Sequence, residues 1–229
     1  MWNEMARSYP LNFERGSVLK AVSVAESLPS KESVLDIGCG PGNTSLLFAG
    51  VFDRVVAADS SSEMLRRLGE ECSVRGISNI ETVLGDCGEL DFEERFDMVF
   101  TCLCPGMYSV EAARRMERFS KGVCVYVGPT YGDVTGERKI IEDLGFRMSP
   151  YFETDSVLRD LLRDRDVDVT KISEPHNFRD KGSIIKRCIR MSDAKDEDAP
   201  EIERYVMSLP DEELPRSRNL LFLVWKTDC

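Results

Sequence analysis

Apolar residues fall into short, nearly unbroken runs separated by stretches of helical spacing. Val34-Leu35-Asp36-Ile37, Arg54 to Ala58 (RVVAA), Ile80 to Leu84, Phe96 to Leu103 (FDMVFTCL) and Val123 to Val127 (VCVYV) read as five buried strands. Between them lie amphipathic segments. Glu14 to Leu28 places Val18, Ala21, Val22, Ala25 and Leu28 on one helix face and stops before Pro29. A second helix is predicted to start at Asn43 or Thr44 as cap. A third runs from a capping box of Ser60 and Glu63 to about Arg75, ahead of Gly76. Ser109 caps a fourth through Arg118. Continuous apolar strands alternating with helices demand a parallel sheet covered on both faces. Beyond strand five the pattern predicts helices over Glu137–Leu144, Asp155–Arg163, Gly182–Met191 and Pro200–Ser208, a sixth strand over Val167–Ile172 and a seventh over Asn219–Lys226 (NLLFLVWK). The last two strands are about 45 residues apart, far more than a hairpin needs, which predicts a lid or substrate-binding insertion.

A chain of 229 residues suits one domain spanning 1–229, with residues 1–28 as an N-terminal arm and helix and 175–217 as a helical, lid-like insertion. The 41 acidic against 30 basic residues give a net charge of -11, a field that repels polyanions, so no nucleic-acid partner is expected. The four bases between Lys181 and Arg190 sit beside acidic runs and read as a solvated helix face. Eight scattered cysteines form no CxxC pair, and there is neither a secretory start nor an apolar run of spanning length. The expectation is a reduced, cytoplasmic protein without a membrane partner. Within the arm, Trp2, Tyr9 and Phe13 either cover a core edge or close over a ligand crevice.

Chemistry concentrates where strand one meets Gly38, Gly40 and Gly42. Such a turn lets a ligand lie against bare backbone, and helix-start amides beyond it can donate to a polar group. The Asp36 carboxylate at the strand end would repel a pyrophosphate. Asp59, 23 residues later at the end of strand two, suits the paired hydroxyls of a ribose. A dinucleotide-binding turn reads G-x-G-x-x-G, whereas here the third glycine comes one place earlier.

The spacing D-x-G-x-G-x-G resembles the first motif of the class I S-adenosylmethionine (SAM) dependent methyltransferases, in their small-molecule branch. The resemblance implies an α/β, Rossmann-like fold with a seven-stranded sheet of order 3-2-1-4-5-7-6 and helices on both faces. It also implies SAM as cofactor and S-adenosyl-L-homocysteine as product. Asp36, Gly38, Cys39, Gly40, Pro41 and Gly42 would then lie near the amino-acid part, Asp59 on the ribose and Asp86 on the adenine. Ser60, Cys87 and Thr101 complete the implied cofactor-binding set. Asp97, ahead of the strand-four run, also fits the family pattern.

The loop Thr101 to Tyr108 (TCLCPGMY) carries neither the N/D-P-P-Y sequence of nucleic-acid amino methyltransferases nor the Pro-Cys pair of cytosine methyltransferases. Cys102 and Cys104, two apart, face the same way if the segment stays extended, where they could hold a soft metal or simply pack as thiols. Without histidine or further cysteine nearby they make a poor zinc set, so no metal is expected. Tyr108, and His176 in EPHNF after strand six, are the candidate catalytic residues, His176 as a base or as a plain loop residue. Met107 and Tyr108 are expected to wall a small-molecule acceptor pocket. The acceptor and the oligomeric state are not legible. A non-catalytic SAM-binding or partner-binding protein, and an NAD-dependent oxidoreductase, are the alternative readings.

Overall fold

The computed structural model describes residues 2–129, 136–149, 159–161, 163–175, 180–215 and 217–227. Seven strands form one sheet: β1 (Ser33–Ile37), β2 (Arg54–Asp59), β3 (Ile80–Leu84), β4 (Phe96–Cys102), β5 (Ser120–Pro129), β6 (Val167–Pro175) and β7 (Ser217–Lys226). Their order is β3-β2-β1-β4-β5-β7-β6, as expected. β1 to β5 pair in parallel, and β7 runs antiparallel to both β5 and β6. The direction of the first helix-linked strands brings their carboxyl ends to one edge, with β1 and its neighbours β2 and β4 at the point where strand order reverses.

Burial on both faces explains the continuous runs. All five residues of β1 are buried. One face packs Ile37, Met116 and Tyr126 with their neighbours, and the opposite face packs Ala21, Val125 and Phe222. The helices are α1 (Trp2–Met5), α2 (Gly16–Ser27), α3 (Ser45–Phe48), α4 (Ser62–Arg75), α5 (Val110–Phe119), α6 (Gly136–Asp143), α7 (Lys181–Met191) and α8 (Ala199–Ser208). The last three share a separate apolar cluster built on Ile140, Ile141, Ile184, Cys188, Ile202 and Val206. The insertion therefore shares a small core with α6. No described helix is long and apolar enough to cross a membrane.

Several local expectations shift. α3 is a single turn whose Thr44 cap makes no side-chain hydrogen bond. Asn43 is drawn away to the arm, accepting from Asn12 N–H at 2.6 Å and donating to Pro10 O at 3.3 Å. The cap of α4 is Ser61 rather than Ser60, because Asp59 Oδ1 takes the Ser61 N–H at 2.8 Å and leaves Ser61 Oγ to accept from Met64 N–H. β4 stops at Cys102, since Leu103 has φ of 54°, the one positive-φ non-glycine residue among those described. Of the helix expected over Asp155–Arg163, only 159–161 and 163 are described, and 159–161 are helical.

Candidate active site

The glycine turn folds back onto β2. Gly38 and Cys39 N–H both donate to Ala58 O, at 2.8 and 3.0 Å, and Gly40 N–H donates to Asp59 Oδ2 at 2.9 Å. Its glycines do different jobs. A Cβ on Gly42 would run into Leu68 of α4, and one on Gly38 would stand 2.6 Å from Cys104 Sγ. At Gly40, with φ of 55°, nothing lies within 4 Å of that position. Gly42 thus serves close packing, Gly38 makes room for a thiol, and Gly40 leaves bare backbone beside open space.

A cavity opens there, at the carboxyl edge of the sheet. Ile37, Gly38 and Gly40 come from the β1 turn, Asp59, Ser60 and Met64 from the end of β2 and start of α4, and Gly85, Cys87 and Leu90 from the loop after β3. Cys102, Leu103, Cys104 and Pro105 supply the β4 side, and Trp2 and Tyr9 of the arm close over it. The arm is held by Arg67, whose Nη1 donates to Tyr9 O at 2.8 Å and to Ala6 O, and by Ser61 Oγ donating to Asn3 Oδ1 at 2.6 Å. Its volume of about 80 Å³ is below the ~300–1,000 Å³ of ordinary ligand pockets.

Not every residue singled out in the sequence reaches this cavity. Asp36 is buried beneath the turn, where its Oδ2 accepts from Ser45 Oγ at 2.5 Å. Burial, with the Asp59 charge adding to it, pushes the Asp36 carboxyl up to about 7 despite the Ser45 hydrogen bond. Cys39, Pro41 and Gly42 are buried, and Cys39 packs toward Leu65 and Leu68. Thr101 Oγ1 donates to Ile37 O at 2.9 Å, tying β4 to β1. Asp97 serves the far end of the sheet, accepting from Ser33 N–H at 2.9 Å. Asp86 is exposed and closes its own turn by accepting from Gly88 N–H at 2.8 Å. Asp59 lines the cavity half-buried; burial pushes its carboxyl up, and the N–H groups of Ser61, Gly40 and Ser60 pull it down.

The β4 loop differs most from expectation. The left-handed Leu103 turns the chain between Cys102 and Cys104, so the two thiols do not share a face. Cys102 packs with the Val125–Phe222 side of the sheet and Cys104 with the Ile37–Tyr126 side. Met107 is buried in the main core rather than walling a pocket, and Tyr108 packs between that core and the cluster of the insertion. His176 lies outside the described residues. Met64, Leu90 and Leu103 reach the cavity without having been singled out, because in the sequence they are indistinguishable from core positions. Among the described residues no three potential metal ligands converge.

Residues 34–121 match a protein-family model described as a methyltransferase domain. Over that segment the chain is similar to methyltransferase domains. It is 31% identical over 108 residues to a dTDP-4-amino-2,3,4,6-tetradeoxy-D-glucose N,N-dimethyltransferase from Saccharopolyspora spinosa. That match spans 46% of this chain and 40% of the relative's length. Among solved structures, the methyltransferase fold of this chain resembles the YcgJ protein of Bacillus subtilis, with a TM-score of 0.65, 17% identity, and coverage of 93% of this chain and 98% of that one. A SAM-dependent methyltransferase from Thiobacillus denitrificans, crystallised with S-adenosyl-L-homocysteine, superposes with a TM-score of 0.58 at 14% identity, covering 97% and 96% of the two chains. At such identities the likeness is one of fold.

Proposed function

We propose that this methyltransferase-fold protein binds SAM over Gly38 and Gly40 and transfers its methyl group to a small-molecule acceptor by in-line displacement. The observation that carries the reading is the open backbone at Gly40 beside the Asp59 carboxylate, at the edge where strand order reverses. The residues fit the cofactor. Asp59 accepts the Gly40 N–H on Oδ2 and the Ser61 N–H on Oδ1 and keeps lone pairs for ribose hydroxyls, while its charge opposes a pyrophosphate. Ser60 borders the same space, and the Asp86–Cys87 turn after β3 is assigned to the adenine. Asp36, Cys39, Pro41, Gly42 and Thr101 act from below, by shaping the turn.

SAM supplies a methyl group made electrophilic by its sulfonium. What remains for the chain is alignment and exclusion of water. Leu103, Cys104 and Pro105 form the wall facing the β1 turn, and Trp2 and Tyr9 cover the opening. The acceptor side is assigned to Tyr108, at the junction with the helical insertion, and to His176 beyond β6, as the candidate proton acceptor. The insertion selects the acceptor. The net charge of -11 supports a small molecule over DNA or RNA. The Saccharopolyspora relative, named for dimethylating an amino sugar nitrogen, supports an acceptor of metabolite size.

Calorimetric titration tests the reading. Binding of SAM and S-adenosyl-L-homocysteine on the micromolar scale, about -8 kcal/mol, with no heat from NAD, is expected. Binding of NAD alone would replace it with the oxidoreductase reading, and salt-sensitive retention of tRNA on a filter would remove the small-molecule assignment.

A further inference from the structure

Three cysteines border the cavity, and two of them lie on the same face of the sheet. Cys87, in the turn after β3, and Cys104, beyond Leu103 in the β4 loop, both line the cavity, and Cys87 Sγ sits against Gly106, two residues past Cys104. Both pack on the same core cluster. Two glycines make room for them. A Cβ on Gly38 would stand 2.6 Å from Cys104 Sγ, and one on Gly106 would collide with Cys87 Sγ. Cys102 is turned to the other side of the sheet, and Cys39 is buried under the glycine turn. With no third ligand converging among the described residues, the pair lacks the coordination of a zinc site.

We propose that Cys87 and Cys104 form an oxidisable dithiol in the floor of the cavity, which a peroxide closes to an intrachain disulfide that shuts out the nucleoside ligand. The neighbouring Cys104 thiol draws the Cys87 thiol below its ordinary range against burial and Asp86, while Cys87 and burial push Cys104 well above it. Cys87, flanked by the exposed Asp86 and Gly88, is the sulfur that a peroxide reaches first and Cys104 the resolving one. The Cys87 thiolate attacks one peroxide oxygen, hydroxide leaves and takes up the proton that Cys87 shed, and water and a Cys87 sulfenic acid result. Cys104 sulfur then attacks Cys87 sulfur, and the sulfenic hydroxyl departs as water with the Cys104 proton. Two thiols lose two electrons and the peroxide gains them.

Closing the pair to an S–S bond of about 2.05 Å draws the 85–88 turn toward the 103–106 loop. Both segments line a cavity that is already narrow. Loss of ligand is the consequence, and this half rests on the SAM-binding reading above.

The test treats the full-length protein with hydrogen peroxide, with or without S-adenosyl-L-homocysteine. Intact mass and a non-reduced peptide map are then recorded, and calorimetry is run before and after dithiothreitol. Expected are the loss of two hydrogens, a Cys87–Cys104 linked peptide, slower closure with ligand present, and at least about a tenfold loss of affinity that the reductant restores. Cys72→Ser, on the outer helix, should still form the link. Cys104→Ser should instead trap a sulfenic acid at Cys87, reactive to dimedone, and its melting curve reports whether it is folded. A map linking other cysteines, unmodified thiols after peroxide, or a Cys87–Cys104 link with unchanged affinity would overturn the proposal. If neither redox form binds the nucleoside, the SAM reading fails while the peptide map still decides the dithiol.

Discussion

The Asp59 carboxylate spans two elements, with Oδ2 accepting from Gly40 N–H at 2.9 Å and Oδ1 accepting from Ser61 N–H at 2.8 Å. One side chain thus fixes the glycine turn, starts α4 and presents its charge to the cavity. Asp59→Ala removes the charge-assisted bonds expected to the ribose and is predicted to weaken S-adenosyl-L-homocysteine binding by about 1–3 kcal/mol. Asp59→Asn keeps an acceptor for one of the two N–H groups, so it should lose affinity with a smaller drop in melting temperature. Calorimetry and thermal melts on both variants separate the roles; unaltered affinity in Asp59→Ala would remove Asp59 from the site.

Asp36 gives a pH signature. Its folded-state carboxyl stands at about 7, against 3.8 for an unperturbed one. As pH rises from about 4 toward 7 the unfolded chain releases this proton while the folded chain retains it, so the group lowers stability over that window. The cost is fully present above pH 7. Asp36→Asn abolishes this slope, so its melting temperature relative to the parent should be higher at pH 8 than at pH 4.5. Equal offsets at the two pH values would mean that Asp36 is ionised in the fold.

The arm offers a built-in probe. Trp2 borders the cavity, while Trp225 is 1% exposed in the core with its Nε1–H donating to Glu117. Ligand binding should therefore change the fluorescence of Trp2, and Trp2→Phe should abolish the change. Arg67→Ala frees the carbonyls of Ala6 and Tyr9 and is expected to raise the ligand dissociation rate several-fold in stopped-flow fluorescence. An unchanged rate would show that the arm does not gate the cavity.

The strands, the glycine turn and the acid at the end of β2 were legible because each rests on local chemistry, whereas the strand order followed from the resemblance. Burial on both faces erases strand alternation, positive φ selects glycine, and a strand-end carboxylate has few neighbours to choose from. The β4 loop was not. Leucine disfavours the left-handed conformation that Leu103 adopts, so nothing in the sequence announces the turn that parts Cys102 from Cys104. Nor does spacing relate Cys87 to Cys104, which face one cavity only because β3 and β4, with β2 and β1 between them, end at the same edge of the sheet. Asn43 looked like a cap, and the arm, remote in sequence, outbid the helix for its side chain.

Glu174, 2% exposed at the end of β6, binds two arginines from different elements. Arg15 donates to its Oε1 through Nε and Nη2 at 3.0 and 2.6 Å, Arg218 does so at 3.1 and 2.6 Å, and Ser17 donates to Oε2 through N–H and Oγ at 3.2 and 2.7 Å. Burial pushes the carboxyl up, but Arg218, Arg15 and Ser17 outweigh it and bring it down to about 2, from 4.5. A depressed carboxyl contributes stability that is complete above about pH 4.5 and is lost as pH falls toward 2, on the order of 3 kcal/mol. Glu174→Ala leaves two guanidinium groups facing each other in a buried site and should cost about 3–5 kcal/mol at neutral pH. Adding Arg15→Met and Arg218→Met to a Glu174→Leu background should recover much of that loss, since the uncompensated charges go with it. Urea titrations at pH 7 and pH 3.5 check both statements: the parent should weaken at the lower pH by more than Glu174→Ala does, and parallel losses would show that the ion cluster does not stabilise the junction of α2, β6 and β7.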